Sequence, residues 1–82
     1  MSRKHHYIKC ETEYYRAVEA GDKSFELRKN DRDYKLYDIV HLEESVIGVK
    51  TGREIAVEIV YILYGGKYGL DKDYCIFSFK RC

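Results

Sequence analysis

Between Gly21 and Arg28 the chain reads GDKSFELR, bringing an amine, a carboxylate and a guanidinium close together as Lys23, Glu26 and Arg28. Glu26 and Arg28 are two residues apart and share one face of any strand that carries them. They either pair with each other or present an acceptor and a planar fork of donors to a base edge or a phosphate. The plainer alternative is a structural ion pair covering one side of a sheet, because runs of charge usually solvate a face. Lys23 follows the turn after Gly21, and a short turn there either aims its amine into a cleft or releases it to water. Beside Glu26 it would hold a phosphate or, with a lowered pKa, serve as a base. Lys29, Asn30, Asp31 and Arg32 continue as a mixed polar loop. Asn30 and Asp31 carry the donors and acceptors that read a base edge, and Lys29 and Arg32 the cations that position a backbone. The competing account is an ordinary turn in which Asn and Asp bond the local main chain.

Nine tyrosines add stacking faces. Tyr7, Tyr34, Tyr37, Tyr64, Tyr68 and Tyr74 are candidates to stack on a base, Tyr68 foremost because Lys67 and loop glycines flank it, whereas Tyr61 continues a core face. His5, His6, Cys10, Cys75 and Cys82 match no zinc spacing, and adjacent histidines on a strand point to opposite faces. No metal and no cofactor is expected. His41, between Val40 and Leu42, reads as a strand residue with a satisfied ring rather than a catalyst. The three cysteines form no CxxC pair, which suggests free thiols and a cytoplasmic setting. A net charge of +1 argues against holding duplex nucleic acid mainly by phosphate neutralisation, so any nucleic-acid contact should be local. The apolar run IVYIL is too short for a membrane span.

These groups need elements to position them, and 82 residues suffice for one domain, residues 1–82, with a modest core. HYIK reads as a first strand. Thr12 is placed to cap a helix whose Tyr14, Ala17 and Val18 fall at helical spacing, and Gly21 closes it. Residues 24–28 alternate Phe25 and Leu27 against Ser24, Glu26 and Arg28, and the alternation predicts a strand that buries the apolar pair. Strands follow at 39–42, at 55–63 after a turn in KTGRE, and at 74–80. Five strands and one N-terminal helix predict an α+β fold, a sheet curled into a small barrel with the helix packed against it.

The GxKxxExR pattern of Gly21, Lys23, Glu26 and Arg28, at the join of a helix and a strand, resembles the motif of the ASCH domain superfamily. With ELRKNDRDY, TGREIAVEIVYIL and YCIFSF, most of the chain is similar to a compact bacterial and phage subfamily of these domains. The resemblance implies a PUA-like β-barrel with a cleft at the helix–strand junction suited to RNA, a nucleotide or a modified nucleoside. Related sequences usually have Gly-Asp where this chain has Tyr37-Asp38. Tyrosine tolerates a positive φ poorly, so a different turn is expected there. One ASCH branch comprises amidohydrolases that deacetylate N4-acetylcytidine with a lysine, a threonine and a glutamate. The lysine matches Lys23, but Glu26 stands at the threonine's position, and a carboxylate does not replace a hydroxyl nucleophile. The leading expectation is an RNA- or nucleotide-binding module using Lys23, Glu26, Arg28, Lys29, Asn30, Asp31, Arg32 and Tyr68. The alternatives are an amidohydrolase built on Lys23 and Glu26, and an accessory domain that meets a protein partner.

Overall fold

The computed structural model describes residues 3–82. Its elements are β1 (His5–Glu11), α1 (Thr12–Glu19), β2 (Phe25–Lys29), β3 (Ile39–Val46), β4 (Val49–Tyr64) and β5 (Tyr74–Arg81). All five strands lie in one sheet of order β1-β3-β4-β5-β2. β1 and β3 are parallel, which demands a crossover, and α1 with β2 makes up that excursion; the other pairings are antiparallel. The sheet curls around Ile8, Val40, Leu42, Val57, Ile59 and Phe77, and α1 lays Tyr15 and Val18 against β1 and β3. The expected barrel is a half-barrel: β1 and β2, at the two ends of the strand order, are not paired with each other. No helix among the described residues is long and apolar enough to cross a membrane.

α1 ends as its glycine predicts. Gly21, at φ +84°, donates its N–H to the Val18 carbonyl at 3.0 Å, and Asp22 donates to Ala17 at 2.9 Å, the paired bonds of a Schellman cap. Lys23 N–H reaches the same Ala17 carbonyl at 3.1 Å, so the cap fixes the backbone up to the lysine. The helix start differs from expectation. Glu11 occupies the N-cap without a side-chain bond, while Thr12, already helical, donates its hydroxyl to Glu44 Oε2 at 2.7 Å.

β2 is the main correction. Phe25 and Leu27 are 48% and 53% exposed, whereas Glu26 is 4% exposed, so the strand turns its charged face into the half-barrel. Alternation reports which side chains share a face but not which face is covered. In β4, Ile55, Val57 and Ile59 are buried as expected, but a register shift against β5 between Ile59 and Tyr61 breaks the period. Beyond this bulge Ile62 points inward and Tyr61 is 64% exposed, so the tyrosine does not join the core. The β3–β4 turn is formed by Ile47 and Gly48, at φ 48° and 77°, rather than by KTGRE, which lies within β4. Tyr37 sits at φ 72°, a positive φ that tyrosine tolerates poorly. Asp38 beside it is buried, its Oδ2 accepting the Lys35 N–H at 3.0 Å and lying 2.8 Å from His6 Nε2.

Candidate functional site

Because the sheet does not close, β1 and β2 border a shared trough that Arg28 crosses. Its Nη2 donates to the Lys9 carbonyl of β1 at 2.8 Å, and its Nε donates to Glu26 Oε2 at 2.9 Å. Held at both ends, the guanidinium divides the trough into two hollows, both of which it and Lys9 line.

The first hollow, of about 620 Å³, lies at the helix–strand junction, where Lys23, Glu26 and Arg28 meet Cys10, Tyr14 and Leu27. Lys23 Nζ donates to Glu26 Oε1 and, at 2.7 Å, to the Phe25 carbonyl. The rings of Phe25 and Tyr14 lie 5.1 and 5.9 Å from that ammonium, within range of a cation–π attraction. Side-chain exposure is 6% for Glu26, 16% for Lys23 and 29% for Arg28, so the carboxylate forms the floor and the cations reach upward beside it. Each Glu26 oxygen has one protein partner and keeps a second lone pair, and Lys23 keeps a third N–H. A donor and an acceptor thus stand side by side beneath an apolar rim. Cys10 is buried, and that burial, followed by the Glu26 charge, pushes its thiol pKa up. The group stays a neutral thiol and not a nucleophile.

The second hollow, of about 490 Å³, adjoins the loop after β2, with Lys9, Arg28, Lys29, Arg32 and Lys50 around Tyr7. Asp31 and Glu43 also line it. Of the residues singled out from the sequence, Lys23, Glu26 and Arg28 come together in the first hollow, and Lys29, Asp31 and Arg32 in the second. Asn30 is not among them: its Oδ1 accepts the Tyr34 N–H at 3.1 Å and closes the local turn. Tyr68 is 89% exposed on the β4–β5 loop and lines neither hollow. The aromatic rings at the trough are Tyr7, Tyr14, Phe25 and Tyr34 instead. Lys9 and Cys10 join the site through the parallel placement of β1, a long-range pairing that local pattern does not reveal.

On the outer sheet face His41 Nδ1 bonds Glu54 Oε2, its Nε2 lies 2.9 Å from His5 Nδ1, and Tyr7 stacks on the ring at 4.3 Å. This is the satisfied strand histidine that its neighbours suggested. His5 is exposed and His6 buried, as alternation requires. Among the described residues no group of three or more His, Cys, Asp and Glu side chains is arranged to hold a metal ion.

Residues 5–79 match the family described as a domain of unknown function, DUF3850. The chain is also 41% identical, over 59 residues and 72% of its length, to an uncharacterised 12.9 kDa protein in the GpA 3′ region of Escherichia phage P2. It spans about half (54%) of that curated relative.

Proposed function

We propose that this chain, which belongs to the DUF3850 family, is a PUA-like module that binds a nucleobase of single-stranded RNA or of a nucleotide in the first hollow, without turnover. The observation that carries this reading is the Glu26 carboxylate, 6% exposed and held between the Lys23 ammonium and the Arg28 guanidinium on the floor of an open concave site. Burying a carboxylate is costly unless its charge is met and its lone pairs are bonded. Here two cations meet it, and the donor and acceptor left over match the mixed edge of a base. The apolar rim from Tyr14, Phe25 and Leu27 suits the flat faces of such a ligand. The likeness of GxKxxExR to the ASCH motif supports the same reading.

Binding rather than acyl transfer is favoured by the engagement of the candidate groups. The Lys23 ammonium is donated to a carboxylate and a carbonyl, and the neighbouring Cys10 is a neutral thiol. Titration with short mixed-sequence RNA and with nucleosides at low ionic strength tests the proposal. Saturable binding lost in Lys23→Ala and Arg28→Ala, with the fold retained by circular dichroism, is the expected result. Absence of binding to every probe refutes it, and release of acetate from N4-acetylcytidine would replace it with a hydrolase.

A further inference from the structure

From the second hollow we infer a phosphate site, so that the ligand spans the Arg28 strut with a base on one side and a phosphate on the other. The inference rests on the base-binding reading of the first hollow. Five cationic side chains line the second hollow against two acidic ones, in a chain whose net charge is +1. The positive potential is therefore concentrated at one end of the trough, and a concave wall strengthens such a field at its centre. The cations also differ in what already holds them. Lys50 lies 3.4 Å from Glu43, and Lys9 Nζ donates to the Gly48 carbonyl at 2.9 Å. Lys29 and Arg32 take part in no ion pair among the described residues. These two exposed side chains have their donors free for an incoming anion.

Geometry links the two hollows. Arg28 uses Nε on Glu26 and one Nη2 hydrogen on the Lys9 carbonyl, which leaves its Nη1 donors uncommitted among those bonds. A guanidinium clamped in this way loses little freedom when it takes up a further acceptor. A phosphate beside Arg28 in the second hollow then meets Lys29 and Arg32, while the attached base passes the strut and reaches Glu26 and Lys23. Phosphate contacts of this kind fix position, and the base contacts choose the ligand.

Calorimetric titration of the full chain with the four ribonucleosides, their 5′- and 3′-monophosphates, and dinucleoside monophosphates tests the inference. At least one monophosphate or dinucleotide is expected to bind about tenfold or more tightly than its nucleoside, the scale of one or two charge-assisted hydrogen bonds. That advantage should vanish in the Lys29→Ala/Arg32→Ala double variant, whose nucleoside affinity stays at the wild-type value. Stronger binding of the dinucleotide identifies a backbone phosphodiester as the anion, and stronger binding of the monophosphate a free nucleotide; either supports the site. Equal affinity for nucleoside and nucleotide overturns the phosphate site while leaving the base reading standing. Retention of the advantage in the double variant also overturns it. Failure of all probes to bind overturns both.

Discussion

Replacing Glu26 by glutamine tests whether its carboxylate holds the floor of the trough together. The change keeps the shape of the side chain but strips the counter-charge from Lys23 and Arg28, both bonded to it. Removing one partner of a deeply buried pair costs about 3–5 kcal/mol, and losing a fully exposed pair about 1 kcal/mol or less. Glu26 belongs to the first class at 6% side-chain exposure, but the stranded cations, at 16% and 29%, recover part of their hydration. Glutamine also retains one carbonyl acceptor. About 2 kcal/mol lies between these limits, and in a domain of this size it lowers the melting temperature by roughly 8–16 °C. Thermal unfolding followed by circular dichroism measures it, with Asp33→Asn as a control for a surface pair with Lys35, expected within about 0.5 kcal/mol of the parent. A Glu26→Gln melting point within about 2 °C of the parent would refute the reasoning, since the three groups would then be individually hydrated.

Three further outcomes follow from particular positions. Ile47 is 91% exposed at φ 48°, a conformation that a β-branched side chain resists, so Ile47→Asn should raise stability by about 1 kcal/mol in urea unfolding; destabilisation would show that the isoleucine makes a contact worth more than its strain. A Cβ at Gly65 would lie 1.8 Å from the Asp71 carbonyl oxygen and 2.6 Å from that of Tyr74, so Gly65→Ala should cost about 2 kcal/mol or more, and an unchanged urea midpoint would contradict the close approach. Hydrogen bonds from Thr12 and then Thr51 hold the Glu44 carboxyl below its ordinary value of 4.5; this stabilisation is present above pH 4.5 and is lost as pH falls through the lowered folded value. Thr12→Val should accordingly move the acid-unfolding midpoint to higher pH, and no movement would show that the hydroxyl does not favour the ionised form.

The order of elements is legible because β2, β4 and β5 each carry a period of two and the helix ends on a glycine with a positive φ. The grouping of Lys23, Glu26 and Arg28 was legible for the same local reason: a Schellman cap followed at once by a strand leaves little freedom in their relative placement. The orientation of β2 was not. Phe25 and Leu27 would ordinarily claim the covered side, but the Glu26 charge, met by two cations, makes the polar side buriable. The alternation of Ile55, Val57 and Ile59, extended, puts Tyr61 in the core, and a single bulge voids that extension. Asn30 looked like a base reader because the same amide chemistry serves a turn, and in this loop the Tyr34 N–H takes its oxygen. The case for Tyr68 rests on its neighbours and composition alone, which carry no information about distance from the motif.

The half-barrel places the outward margins of β1 and β2 along one trough. Free strand margins are templates on which other chains add and fibrils nucleate, and here each is screened by the opposite wall and by the Arg28 bridge. Cutting that bridge should therefore make the protein stickier in concentrated solution, and anything lodged in the trough should act as a solubiliser. The same opening that admits a guest is the one the molecule must keep its own copies out of.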